Sequence, residues 1–167
     1  HRVIGIDRQN ADVVADLSAA GGRKAAVEAA IAACGGVLDG LVCCAGLGPP
    51  APSSSVIVGV NYFGMADLVD GLEAALACGQ QPAVTLLGSV ASVHPGMDKL
   101  PMVSAMLEGD EQAALAQADA MAMPQAAYAG SKYAIAVFAR RKAVAFGPKG
   151  IRINVVAPGA VETPLQD

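Results

Sequence analysis

Apolar residues fall along this chain in runs too continuous for a sheet with one wet face, separated by stretches whose apolar positions recur at helical spacing. Arg2-Val3-Ile4-Gly5-Ile6-Asp7 reads as a short buried strand closed by an acid, and Val13-Val14-Ala15, between Asp12 and Asp16, as a second. Gly21 to Cys34 is a helix, with Ala25, Ala29 and Ala33 on one side and Val27 and Ile31 nearby. Leu38 to Cys44 is a strand ending at Ala45-Gly46. Val56 to Ala77 is helical through Val60, Met65, Leu68, Leu72 and Leu76, and Pro82 to Gly88 is a further strand. Tyr128 to Phe146 is a long alanine-rich helix, and Ile151 to Val156 a last strand before Pro158-Gly159. Apolar strands alternating with helices predict an α/β fold, a doubly wound parallel sheet covered on both faces.

The stretch from Val93 to Gln125 breaks this alternation. It reads as a loop followed by a helix from near Asp110, with Glu111 in the first turn and Leu115, Ala118 and Met121 on one face. No strand pattern occurs there, so it is expected as an insertion lying above one edge of the sheet. Five methionines fall in it: Met97, Met102, Met106, Met121 and Met123. Adaptable packing is their default role, and contact with a flat apolar substrate is the alternative.

The balance of residue types removes several classes of function. The chain has 167 residues, 54% hydrophobic and 16% charged, with a formal net charge of -4. One core-forming domain suits that length, and a mildly acidic surface draws neither nucleic acid nor an anionic membrane. Gly40 to Ala66 carries no charge, but Pro49, Pro50, Pro52 and Ser53 to Ser55 interrupt it, so a transmembrane helix is not expected. Cys34, Cys43, Cys44 and Cys78 include no CxxC pair, which points to free thiols in a reducing cytoplasm. With only His1 and His94 as histidines, no cluster has metal-ligand spacing, and no metal is expected. Arg140, Arg141 and Lys142 read as one turn of an exposed helix face.

The chemistry resides in Tyr128-Ala129-Gly130-Ser131-Lys132. Tyrosine and lysine four apart lie on one helix face about a turn apart. A free phenol, with a pKa of about 10, is a poor acid or base near neutrality, and a cation held beside one favours the phenolate. Ser89 closes an apolar strand at its C-terminal end, where open α/β sheets bind ligands, and a hydroxyl there could steady a reacting oxygen. Asn61, in Val60-Asn61-Tyr62-Phe63-Gly64, is an amide in an apolar helix. Blander roles stand beside each of these: a packing aromatic for Tyr128, a strand-end hydroxyl for Ser89, a structural amide for Asn61 and a turn-capping acid for Asp7. His94 lies five positions after Ser89, and His94-Pro95-Gly96 reads more simply as a loop than as a catalytic base.

Through YAGSK, the upstream Ser89, the asparagine of NYFG, the CAG turn at residues 44–46 and Pro158-Gly159 with Thr163, the chain resembles the short-chain dehydrogenase/reductase family. The runs DGLVCCAG, VNYFG and VVAPGAVETPL, and the 39 positions from Ser89 to Tyr128, make it most similar to the bacterial 3α-hydroxysteroid dehydrogenase/carbonyl reductase subgroup. The resemblance implies an oxidoreductase interconverting secondary alcohols and ketones, with 3α-hydroxysteroids and other apolar carbonyl compounds as substrates. It implies Tyr128 as general acid/base, Lys132 as its cation and ribose ligand, Ser89 as polariser of the carbonyl, and Asn61 as holder of a proton-relay water. Asp7 would bond the adenine-ribose hydroxyls, favouring NAD over NADP. Asp16 and Leu17 would lie beside the adenine, Ala45 and Gly46 along the cofactor, Pro158 and Gly159 in the turn after the last strand, and Thr163 at the nicotinamide amide. It further implies that the insertion shields the family's usual helix-pairing surface and redirects assembly, to a homodimer.

Two departures from the family stand out. No glycine-rich phosphate-binding turn is present: Gly21-Gly22 precedes a helix without the third glycine or the spacing from a strand. In a doubly wound order beginning 3-2-1-4, lack of the first strand leaves Val3–Ile6 with no neighbour joining it to Leu38–Cys44, and a gap in the sheet is expected. Residues 1–167 are therefore expected to be the central part of a longer oxidoreductase domain, and alone to bind NAD weakly. The family's NNAG turn is also altered, to Cys43-Cys44-Ala45-Gly46. Two other readings remain: a reductase of acyl or polyol substrates, and a non-catalytic binding or assembly module.

Overall fold

A computed structural model describes residues 2–159. Thr163 lies outside the described residues. Parallel strands form two sheets rather than one. The first pairs β1 (Ile6–Asp7) with β2 (Val13–Val14); the second has the order β3 (Gly40–Cys43), β4 (Ala83–Leu87), β5 (Arg152–Val156). A channel of about 830 Å³ separates them, lined by Val3 and Ile6 on one bank, Leu41 and Cys43 on the other, and Leu17 and Leu68 among its remaining walls. The expected gap is therefore present. It also accounts for the shortness of β1, read from sequence as Arg2 to Asp7: within the described residues the strand has a partner on one side only, and ladder pairing is confined to two residues.

Helices cover one face of the three-stranded sheet. Cys43, Val84 and Leu86 are buried in the main core with Leu41, Ile153 and Val155 packed against it. On the opposite face Val42 is 66% and Val156 51% exposed. Coverage of both faces, expected from the apolar runs, is thus not found among the described residues; a continuously apolar strand does not reveal whether both its faces have partners.

Two helical regions differ from their sequence pattern. Val56 to Ala77 reads as one helix, but it is built as α2 (Ser54–Val58), a π-helical turn (Gly59–Gly64), α3 (Met65–Gly71) and α4 (Glu73–Ala77), with a break at Leu72. The apolar periodicity runs through all four pieces, which hides the change of winding. The insertion contains α5 (Pro101–Glu108), not foreseen, as well as the expected α6 (Glu111–Met121), capped by Asp110 accepting from the Ala113 N–H. Pro101 in the first turn of α5 and left-handed Gly109 after it are ordinary helix boundaries. Rather than lying over a sheet edge, the insertion packs on helices: α6 against α2, and α5 against α7 (Pro124–Phe146). Met102 and Met106 are fully buried there as packing residues. Gly130 permits this approach, because a Cβ on it would meet Met102 and Val103 of α5.

Helix α7 begins four residues before Tyr128, with Pro124 in its first turn. Of the supposed basic face, Arg140 and Arg141 are exposed, but Lys142 is half-buried and pairs with Asp70 at 2.6 Å. All four cysteines are free. Among the described residues no helix is long and apolar enough to cross a membrane, and no cluster of metal-ligating side chains occurs.

Helix α1 (Ala20–Cys34) includes Gly21 and Gly22 in its first turn, so neither belongs to a free loop. Gly22 is obligatory for packing: a Cβ there would lie 2.0 Å from the Asp16 carbonyl oxygen, whereas one on Gly21 meets nothing within 4 Å. Accordingly, Gly22→Ala should cost roughly 1–3 kcal/mol through a backbone clash. Gly21→Ala should instead gain up to about 1 kcal/mol in helix propensity. Urea unfolding of the polypeptide from the full reading frame measures both; loss of stability in Gly21→Ala, or none in Gly22→Ala, would contradict this packing.

Candidate active site

Strand β4 and helix α7 are fastened by Lys132. Its side chain, only 3% exposed, runs inward and the ammonium donates to the Leu87 carbonyl at 2.7 Å. The nitrogen also lies 5.9 Å from the centre of the Tyr128 ring, so phenol and cation share one face of the helix as their spacing requires. Burial pushes the Lys132 pKa down to about 8; the nearby Cys44 thiol acts weakly the other way.

Ser89 lies two residues beyond Leu87, where the chain leaves β4. Extended at φ -165° and ψ 152°, it caps the 3₁₀ turn Val90–Val93 by accepting from the Ala91 N–H at 3.1 Å. With that bond directed into Oγ, the hydroxyl hydrogen remains available to an outside acceptor. Helix α7 packs against this turn. The neighbouring residues are tied to β5 and the segment after it: Gly88 N–H donates to Val156 at 2.8 Å, and Val90 N–H to Pro158 at 3.1 Å. Ser89, Lys132, Tyr128 and Pro158 thus belong to one corner at the C-terminal ends of β4 and β5. Gly159 follows in the same exposed turn.

Asn61 occupies the π-helical turn and is wholly buried. Its Oδ1 accepts from Leu47 N–H at 2.7 Å, while Nδ2 donates to the Leu47 carbonyl at 3.0 Å and to Ser131 Oγ at 3.3 Å. Ser131, equally buried, donates to the Tyr128 carbonyl at 2.7 Å. The amide therefore locks the turn after β3 to the first half of α7. A Cβ on Gly46 would sit 3.5 Å from both Asn61 Oδ1 and Lys132 Nζ, so this glycine lies against the two side chains. Ala45 precedes it, exposed at the strand end. The alteration of the family's asparagines to Cys43-Cys44 places one thiol in the core and the other in solvent.

The remaining candidates belong to the other sheet. Asp7 closes β1 and accepts from the Arg8 and Gln9 N–H groups through Oδ1. It is a capping acid, then, with Oδ2 unbonded among the described residues. Asp16 follows β2 and accepts from Ser18 N–H at 2.9 Å; hydrogen bonds from Ser18 hold its carboxyl below the usual carboxylate range, with the charge of Arg8 a smaller aid. Leu17 is 7% exposed and packs on Val13, Ala26 and Leu68, so its side chain is core. Across the channel from Asp7 and Leu17 stand Cys44 and Ala45. His94 is exposed in a loop with no part in the cluster. Ser131, Leu47 and the Leu87 carbonyl were not legible as site residues. Ser131 could have been noticed as a hydroxyl one residue from Lys132 in an apolar helix, whereas nothing in a sequence marks a backbone carbonyl.

A buried ammonium has a consequence for stability. Below about 8 the folded chain must bury the charged form of Lys132, and above its ordinary value of 10.5 neither state carries the charge. Between those values the unfolded chain binds more protons, so stability attributable to Lys132 rises with pH and is lost as pH falls through about 8. Comparing the native protein with Lys132→Met by urea unfolding near pH 7 and near about pH 9.5, the difference should move toward the native protein by on the order of 1–2 kcal/mol. A pH-independent difference would show that the ammonium is not desolvated.

The chain is similar to known oxidoreductases along its whole length. A family model described as enoyl-(acyl carrier protein) reductase matches residues 112–167. The 3-alpha-hydroxysteroid dehydrogenase/carbonyl reductase of Comamonas testosteroni is 46% identical over 99% of this chain and 65% of its own. A crystal structure of 3-alpha-hydroxysteroid dehydrogenase from Pseudomonas sp. B-0831, complexed with NADH, superposes with a TM-score of 0.97 at 57% identity, over 99% of this chain and 65% of that one. An oxidoreductase of the short-chain type from Brucella ovis gives 0.71 at 27% identity, over 98% and 73%. The chain therefore spans about two thirds of the length of the hydroxysteroid dehydrogenases it matches, 65% in each case. Likeness of this order along the whole chain, with YAGSK and its accompanying segments in sequence, makes it a member of the short-chain dehydrogenase/reductase family.

Proposed function

We propose that the chain carries the catalytic centre of an NAD-dependent oxidoreductase that interconverts secondary alcohols and ketones, acting on 3α-hydroxysteroids and other apolar carbonyl compounds. The observation that carries this reading is the Lys132–Leu87 tie at 2.7 Å, which holds a buried cation beside the Tyr128 phenol at the strand end that bears Ser89. The names of the Comamonas and Pseudomonas relatives support the substrate class, and the NADH in the latter supports the cofactor.

The residues present fit two ends of NAD. Lys132 and the side-chain-free surface of Gly46 suit the nicotinamide ribose, and the carboxylates of Asp7 and Asp16 suit the adenosine hydroxyls and amine. Gly21 and Gly22, inside α1, offer no cradle for the pyrophosphate. Thr163 is proposed at the nicotinamide amide. Bound NAD supplies the acceptor for the hydride leaving the carbinol carbon. In oxidation, Tyr128 Oη takes the hydroxyl proton, with the Lys132 ammonium on the same face of the helix. Ser89, its own oxygen already accepting from Ala91, donates to the same substrate oxygen as charge develops. Asn61 acts chiefly through structure, since both its polar atoms hold Leu47, and one lone pair on Oδ1 remains for a relay water.

Four free cysteines support a reducing, cytoplasmic location. Because α5 and α6 cover α7 and α2, assembly is proposed through another surface, as a homodimer. A second substrate class, acyl compounds on the same machinery, is favoured only by the description of the family model over residues 112–167. A steady-state screen of steroid, acyl and polyol substrates separates the two. In the polypeptide from the full reading frame, Tyr128→Phe should lower turnover by about 10²–10⁴-fold and leave NADH affinity nearly unchanged. Turnover equal to the native enzyme would remove Tyr128 from the chemistry.

A further inference from the structure

Arg23 of α1 is wholly buried, the largest side chain so placed among the described residues. Each of its nitrogens is engaged. Nε donates to Asp67 of α3 and Nη2 to Glu111 of the insertion, both at 2.6 Å; Nη1 donates to the carbonyls of Leu17 and Ser18, each at 3.3 Å. The guanidinium also lies 5.8 Å from the Phe63 ring. Two carboxylates for one buried cation exceed what neutralisation needs. The planar fork makes four hydrogen bonds to three elements, α3, α6 and the loop after β2, and only a guanidinium has donors enough to do this.

The segment gripped by Nη1 is the loop after β2. Its residues are held on every side: Gly22 lies under the Asp16 carbonyl, and Gly59, at the start of the π-helical turn, under that of Ser18. What the loop presents outward is the exposed carboxylate of Asp16, kept ionised by Ser18. This carboxylate stands at the C-terminal end of a parallel strand, where such sheets bind ligands.

We infer that Arg23 is a positioning residue for the adenosine half of the dinucleotide, and that Glu111 makes the insertion part of that support. The inference rests on the NAD reading above. Arg23 fixes the backbone of residues 16–18, so Asp16 meets the ligand without having to be ordered by it. Glu111 holds the far side of the fork, so the insertion contributes to cofactor affinity through Arg23.

The test measures dissociation constants for NADH and for reduced nicotinamide mononucleotide, which lacks the adenosine half, by fluorescence titration of the polypeptide from the full reading frame. Arg23→Lys keeps the charge but not the fork; Glu111→Gln keeps the shape but not the carboxylate. Each should weaken NADH by about tenfold, the scale of one charged hydrogen bond, with mononucleotide affinity unchanged. Equal weakening of both ligands, or none, would overturn the inference, because a general structural role does not distinguish the two halves. Should Arg23→Lys fail to fold, Glu111→Gln decides by the same criterion. Failure of the native protein to bind NADH at all would instead defeat the dinucleotide reading from which the inference starts.

Discussion

A buried ammonium on the carbonyl of Leu87 is the constraint on which the rest of the site depends. An amine in this position costs free energy unless a partner satisfies it, and the partner available is the last carbonyl of the central strand of its sheet. Meeting that requirement brings the third turn of α7 to the end of β4. Tyr128, one turn earlier, and Ser89, two residues later, are then carried to the same corner by backbone geometry alone. The same desolvation that lowers the lysine's proton affinity leaves its positive charge poorly screened.

The rest of the site repeats this economy of fixed partners. Asn61 pins the turn after β3 to α7, and Ser131 joins the amide to the Tyr128 carbonyl. The π-helical turn presents the asparagine, and Gly46 leaves room beside it. Asp7 on the smaller sheet and Cys44 and Ala45 beyond β3 line the channel between the two sheets. Helices α3 and α6 and the loop after β2 are knitted to α1 by Arg23.

Much of this was legible in the order of residues. The four-residue spacing of Tyr128 and Lys132 states their shared face, the apolar runs give four of the five strands nearly to their ends, and Asp110 marks the start of α6. What stayed hidden depends on distance or on backbone. Arg23 meets partners 44 and 88 positions away, and nothing near it in sequence signals them. The π-helical turn keeps the apolar rhythm of the helix it interrupts, and α5 is too short for periodicity to declare it. The exposure of Val42 and Val156 among the described residues was not legible, since an apolar strand does not declare which of its faces is covered. Asp7 and Leu17, expected beside the cofactor, serve as turn cap and core residue.

The account is tested most directly by a crystal structure of the polypeptide from the full reading frame, bound to NADH and a steroid ketone. It requires one substrate oxygen within about 3.2 Å of both Tyr128 Oη and Ser89 Oγ, with Lys132 still on the Leu87 carbonyl. A ketone oxygen remote from both hydroxyls, or a lysine turned away from β4, would contradict it.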